Sequence, residues 1–103
     1  MIGRGDTIKS VTILGSTGSV GLNTLRVIDE HAGYFKVKGL AAASSAGLMA
    51  EQIERYSPEA VYLENSAAAV EISKKFGSKL KIFSNDAGLR DFSAYLGSDI
   101  LVA

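Results

Sequence analysis

Val11-Thr12-Ile13-Leu14-Gly15-Ser16-Thr17-Gly18-Ser19-Val20-Gly21 is the stretch that decides how the rest of this chain is read. Its first four residues are β-branched or apolar on both faces, the pattern of a central strand in a parallel sheet. A glycine turn follows with the spacing G-x-x-G-x-x-G, one residue longer at its start than the G-x-G-x-x-G of dinucleotide sites. Each glycine has a distinct expected task. Gly15 lets the chain leave the strand tightly. Gly18 lets backbone approach a pyrophosphate with no Cβ in the way. Gly21 lets the next helix pack close to the strand. A helix opening at about Val20 offers unpaired N–H groups and a partial positive charge to an anion. Ser16, Thr17 and Ser19 add hydroxyl donors. The spacing alone is a weak signal; its place between an apolar strand and an amphipathic helix gives it weight. The plain alternative is a glycine-rich loop that binds nothing. No Gly-Lys-Ser or Gly-Lys-Thr follows, which excludes a Walker A phosphate loop.

Outward from this turn, short β-branched runs alternate with helical periods. Gly21, Leu25 and Ile28 recur on one face of a helix predicted from Val20 to His31, with Gly33 placed to end it. Phe35 to Ala42 reads as the second strand. Ser44 and Ser45 stand as caps for a helix carrying Met49, Ile53 and Tyr56, closed by Pro58. Ala60 to Leu63 is the third strand. Asn65 or Ser66 caps a third helix with Ala69, Ile72 and Phe76 on one face, and Gly77 ends it. Leu80 to Phe83 is the fourth strand, Asn85-Asp86 opens a turn or short helix through Asp91 and Phe92, and Ile100 to Val102 is the fifth strand. This alternation predicts an α/β chain: a Rossmann-like three-layer fold with a parallel sheet and helices on both faces.

The end of the second strand bears on the cofactor. NAD sites carry Asp or Glu about 20 residues after the glycines, bonded to the ribose 2′-OH. Here that position reads Ala41-Ala42-Ala43-Ser44-Ser45. No carboxylate repels a 2′-phosphate, and Ser44, Ser45 and a helix N-terminus are placed to accept one. The reading therefore favours NADP(H), by absence of a carboxylate rather than presence of a basic residue.

Bulk properties narrow the alternatives. The chain has 103 residues, 47% hydrophobic and 21% charged, with formal net charge +0. That is enough for one domain, and it gives no support to a nucleic-acid or anionic-membrane partner. There is no cysteine, hence no disulfide and no thiolate metal site. No apolar run is long enough to span a bilayer, and Met1 to Lys9 lacks an apolar signal core, so the expected setting is cytoplasmic. A full dinucleotide domain has two mononucleotide-binding halves. A chain this short is expected to be a fragment, with residues 1–9 a leader and residues 10–103 a dinucleotide-binding domain incomplete at its C-terminus.

Other motifs carry less. Tyr34-x-x-x-Lys38 has the spacing of a short-chain dehydrogenase pair but falls on a strand, where residues four apart do not meet. Arg4-Gly5-Asp6 reads as chance. His31, the single histidine, sits near a helix C-terminus, where it favours the dipole. Lys74-Lys75 reads as a solvated helix face. No nucleophile–base pair and no metal cluster are legible.

Thr12-Ile13-Leu14-Gly15-Ser16-Thr17-Gly18-Ser19-Val20-Gly21, followed by Thr24-Leu25-x-Val27-Ile28, resembles the start of the 1-deoxy-D-xylulose 5-phosphate reductoisomerase family. So do Phe35-x-Val37-x-x-Leu40-x-Ala42, Met49 with Glu51-Gln52, Ser57-Pro58-x-x-Val61, and Asp99-Ile100-Leu101-Val102-Ala103. The resemblance implies an NADPH- and divalent-metal-dependent (Mg or Mn) homodimer. That enzyme rearranges and reduces a sugar phosphate, 1-deoxy-D-xylulose 5-phosphate, to 2-C-methyl-D-erythritol 4-phosphate in isoprenoid precursor synthesis. By the same resemblance Thr17, Gly18, Ser19 and Val20 lie along the NADPH diphosphate, and Ala43-Ser44-Ser45 meets the adenosine ribose and its 2′-phosphate. The chain departs from the family where Ala43-Ser44-Ser45 replaces a glycine, a basic residue and an asparagine, and where Ala32 replaces a proline. The family's metal carboxylates, substrate-phosphate site and lid lie beyond Ala103. Against this stand another NADP oxidoreductase or epimerase domain, and a non-catalytic dinucleotide-sensing module.

Overall fold

Alternating strand and helix patterns fold as nine elements in a computed structural model that describes residues 8–95 and 97–103. They are β1 (Lys9–Leu14), α1 (Ser19–Glu30), β2 (Phe35–Ala42), α2 (Ala46–Tyr56), β3 (Ala60–Leu63), α3 (Ser66–Phe76), β4 (Lys81–Ser84), α4 (Asn85–Tyr95) and β5 (Ile100–Val102). The expected leader, apart from its last two residues, and its Arg4-Gly5-Asp6 lie outside the described residues. Lys9 already belongs to β1, its N–H donating to the Tyr34 carbonyl at 3.0 Å. The strand therefore starts two residues before its apolar run.

The five strands form one parallel sheet in the order β4-β3-β2-β1-β5. From β1 to β4 every step moves one way across the sheet. The chain then crosses back to the far side of β1. Right-handed crossovers put α1, α2 and α3 on one face, and reversing the direction puts α4 on the other. The buried residues divide accordingly. Val11, Ile13, Val37, Leu40, Val61 and Leu63 pack under Leu25, Ile28, Met49, Ile53 and Ile72 of the first three helices. Ala41, Ala60 and Tyr62 pack with Phe92 of α4, joined by half-buried Leu14 and Phe83.

A bulge reconciles the sequence of β2 with this division. Val11 pairs with Val37, but Thr12 pairs with Gly39, so Lys38 is an extra residue. The extra residue switches the parity of the strand. Val37 and Leu40, three apart, thereby face the same helices.

Phe92 is what seats α4. It is 1% exposed, with its ring centroid 6.2 Å from those of Tyr62 and Phe83. The sequence supports only a turn or short helix here, whereas α4 runs eleven residues. Among its described side chains Phe92 is the one that is buried, which leaves little periodicity to read.

Other ends match or move slightly. Asn65 caps α3, its Oδ1 accepting the Ala68 N–H at 2.9 Å, and Gly77 (φ 63°) follows the helix. α1 is closed by His31 rather than Gly33: the His31 N–H donates to the Val27 and Ile28 carbonyls, and its Nδ1 lies 2.9 Å from the Val27 oxygen. Gly33 (φ 99°) makes the turn beyond. Ser45 holds the cap position of α2 without a side-chain hydrogen bond, so the expected hydroxyl cap is not made. No helix among the described residues is long and apolar enough to cross a membrane.

β5 is tied to β1 by polar side chains. The Asp99 carboxylate accepts the Ser10 N–H at 2.9 Å and the Ser10 hydroxyl at 3.2 Å, and the Thr12 and Ser98 hydroxyls are hydrogen-bonded. The bonds from Ser10 hold the Asp99 carboxyl below its usual range. Its folded pKa therefore lies under the unfolded one, and its contribution is complete above about pH 4 and lost as pH falls through the folded value. Urea unfolding of Asp99→Ala is expected to show a stability deficit near neutral pH that closes in acid; a deficit independent of pH would contradict this role. Phe92→Ala is expected to cost about 3 kcal/mol in the same assay, by emptying the contact under α4.

Candidate dinucleotide site

Where a parallel sheet reverses its strand order, a crevice opens at the carboxyl ends of the strands. Here the reversal is at β1, and the glycine turn leaves from its carboxyl end. The turn is hung on the neighbouring strand: the Gly15 and Ser16 N–H groups both donate to the Ala41 carbonyl, at 2.7 and 2.9 Å. The Gly18 N–H donates back to the Gly15 carbonyl at 3.1 Å, and the Leu22 N–H donates to the Gly18 carbonyl at 2.9 Å, opening α1. Gly18 caps this helix with no side-chain hydrogen bond, and its first turn holds no acidic residue. The positive end of α1 is left for an external anion.

The three glycines have three different reasons. Gly15 is at φ +85°, a conformation that side chains rarely adopt. Gly21 is a matter of space: a Cβ there would lie 2.3 Å from the Gly15 carbonyl oxygen and 2.6 Å from the Ser16 Cα. Gly18 is neither. Its φ is −90°, and a Cβ would meet only the Gly15 oxygen at an ordinary 3.5 Å. Neither its backbone conformation nor a close contact among the described residues requires glycine at 18, and the open space there is where a bound group can come against the backbone.

The hydroxyls divide. Ser19 is exposed and Thr17 half-buried at the mouth of the turn. Ser16 is 0% exposed and its Oγ has no hydrogen-bond partner. Ser16, expected as a hydroxyl donor, is thus buried within the turn, and its carbonyl accepts from Gln52 at 2.9 Å. Val20, 59% exposed, lies in the first turn of α1. Ser44 and Ser45 are exposed in the loop after β2. That loop is held by Asn65 N–H donating to the Ala43 carbonyl at 2.9 Å and Ala46 N–H donating to the Ser44 carbonyl at 2.9 Å.

Between the turn and this loop runs a groove of about 260 Å³. It is lined by Leu14 and Gly15, by Ala41 to Ala43, by Tyr62 and Glu64 at the end of β3, and by Leu89 of α4. Its small apolar walls suit a flat ring. Burial, then the charges of Glu64 and Asp86, push the Tyr62 phenol up, keeping it neutral. Sequence reading passed over Glu64, because dinucleotide sites place their carboxylate after the second strand. The signal available was its position, first after β3, at the same edge of the sheet. Gln52 was also missed: its Nε2 donates to the Ser16 carbonyl at 2.9 Å from under the turn.

The remaining motifs stay apart from this site. Tyr34 lies just before β2 and Lys38 within it, away from its carboxyl end. Lys75 pairs with Glu54 at 3.8 Å on an exposed surface. Among the described residues no three His, Cys, Asp or Glu side chains converge to hold a metal ion.

Residues 11–103 match the family model of 1-deoxy-D-xylulose 5-phosphate reductoisomerase. The enzyme of that name from Chlorobium limicola is 38% identical over 97 residues, a match covering 93% of this chain and 25% of that protein. The one from Thermodesulfovibrio yellowstonii is 38% identical over 96 residues, with the same coverage of 93% and 25%. A solved DOX-P reductoisomerase in complex with NADPH, fosmidomycin and magnesium superposes with a TM-score of 0.83 at 26% identity, over 92% of this chain and 24% of that one. The chain thus spans about a quarter of the length of the curated relatives it matches.

The glycines are separable by experiment. Gly21→Ala is expected to lose about 3 kcal/mol of stability in urea unfolding, since backbone must move to admit the methyl. Gly18→Ala is expected to stay within about 1 kcal/mol of the parent. A Gly18→Ala protein as unstable as Gly21→Ala would mean that glycine at 18 serves the fold after all.

Proposed function

Because this chain belongs to the 1-deoxy-D-xylulose 5-phosphate reductoisomerase family, we propose that it holds NADPH for the reaction its relatives are named for. The Gly18 position carries this reading, being glycine for no reason internal to the fold. The backbone from Thr17 to Val20, at the uncapped end of α1, receives the diphosphate, with the Thr17 and Ser19 hydroxyls beside it. The groove between Gly15 and Tyr62 takes the adenine. Ser44 and Ser45 take the ribose 2′-phosphate, aided by the N-terminus of α2, which has no acidic residue in its first turn.

In this reading the dinucleotide supplies hydride to a sugar phosphate, 1-deoxy-D-xylulose 5-phosphate, rearranged and reduced to 2-C-methyl-D-erythritol 4-phosphate. The residues described here bind and orient; they include no acid–base pair at the turn. In this reading magnesium or manganese and the substrate phosphate fall to the part of the relatives that this chain does not span, and the full-length protein is a homodimer. A dinucleotide-sensing module remains the second reading, favoured only by the lack of catalytic groups around the turn.

Calorimetric titration is expected to show NADPH binding more tightly than NADH, and Gly18→Val is expected to abolish both by filling the phosphate approach. Equal or reversed affinities would remove the 2′-phosphate assignment; unimpaired binding by Gly18→Val would remove the diphosphate assignment.

A further inference from the structure

We propose that Gln52 is a positioning residue of the dinucleotide site, fixing the peptide between Ser16 and Thr17 so that the Thr17 N–H faces the cofactor phosphates. This rests on the NADPH reading above. Gln52 is 4% exposed and is the polar member of the buried face of α2, beside Ala46, Met49, Ala50 and Ile53. Its Nε2 donates to the Ser16 carbonyl at 2.9 Å.

An accounting of the turn's peptide groups shows what that bond controls. The peptides on either side of Gly15 are held through the Gly15 and Ser16 N–H groups, both on the Ala41 carbonyl. The peptide between Thr17 and Gly18 is held by the Gly18 N–H on the Gly15 carbonyl, and the next by the Gly18 carbonyl, which accepts from Leu22. The peptide between Ser16 and Thr17 is the one left, and the bond to it comes from Gln52. No peptide bond among the described residues is cis. In a planar trans peptide the C=O and the following N–H point in opposite directions. Drawing the Ser16 carbonyl inward therefore turns the Thr17 N–H outward, to the side where Gly18 leaves the backbone open.

Two further observations agree. The Gln52 Oε1 and the Ser16 Oγ are both buried without a hydrogen-bond partner. An unpaired Gln52 Oε1 costs stability, and a methionine would fill the same volume without it, losing only the bond to the Ser16 carbonyl. The amide thus has no rationale in packing. Gln52 also stands two helical turns beyond Ser45 on the helix that Ser44 and Ser45 lead into, so one rigid element sets the diphosphate turn against the 2′-phosphate loop.

The test compares Gln52→Met, Gln52→Glu and the exposed neighbour variant Glu51→Ala with the parent chain. It reads amide NMR shifts without ligand, NADPH affinity by calorimetry, and thermal unfolding. Gln52→Met is expected to fold with a melting temperature close to the parent's, the lost unpaired Oε1 offsetting the donor taken from the Ser16 carbonyl, to move the Thr17 amide resonance, and to bind NADPH about tenfold more weakly, the loss of one charge-assisted bond. Glu51→Ala is expected to change none of these. In Gln52→Glu the Thr17 amide is expected to return toward its parental position as pH falls and the introduced carboxyl, once protonated, donates to the Ser16 carbonyl. An unmoved Thr17 amide in Gln52→Met overturns the proposal, as does a moved amide with undiminished NADPH affinity. If Gln52→Met does not fold, a Thr17 amide indifferent to pH in Gln52→Glu overturns it. A parent chain that binds no NADPH defeats the functional reading instead, and the ligand-free amide shifts still decide whether Gln52 sets the turn.

Discussion

The site depends on a missing side chain. At Gly21, helix α1 passes so close to the preceding turn that a Cβ would sit 2.3 Å from the Gly15 carbonyl oxygen. With that approach allowed, α1 starts directly under the turn, and the end of β1 and the N-terminus of the helix share one small volume. The partial charge of the helix and the open backbone at Gly18 then act on the same point in space. A helix held even a methyl's width further out would separate them.

The turn is not self-supporting. Its strand side hangs from the Ala41 carbonyl of β2, which accepts two N–H groups, and its underside rests on Gln52 of α2. Both supports come from the second βα unit, the one that leads into Ser44 and Ser45. The glycine turn and the loop beside it are parts of one packed body. Core packing admits few intermediate arrangements, so they keep a common geometry.

The reversal of strand order at β1 does the rest. Three crossovers in one direction leave one face of the sheet to α1, α2 and α3. The return to β5 forces α4 onto the other face, where Phe92 lies against Tyr62 and Phe83. Leu89 of that helix closes one side of the groove at the strand ends. The same reversal brings Asp99 and Ser98 to Ser10 and Thr12, so the last strand is pinned by hydrogen bonds rather than by a large apolar contact.

Much of this was legible in the residues alone, and for local reasons. Strand and helix order, the position of the turn, a cap at Asn65 or Ser66 and the parallel sheet all follow from periodicity, from β-branched runs and from glycines whose φ or neighbours are set within a few residues. The length of α4 was not legible, because among its described side chains one phenylalanine is buried and no repeating stripe results. Gln52, Glu64 and the buried Ser16 hydroxyl were not legible either. Each takes its meaning from a segment distant in sequence: Gln52 from a carbonyl 36 residues earlier, Glu64 from the shared edge of three strands. The sequence by itself determined that a glycine turn sits between a strand and a helix. Only the tertiary structure decided which way its peptides and hydroxyls point, because a peptide plane or a rotamer is chosen by partners that the fold brings from elsewhere.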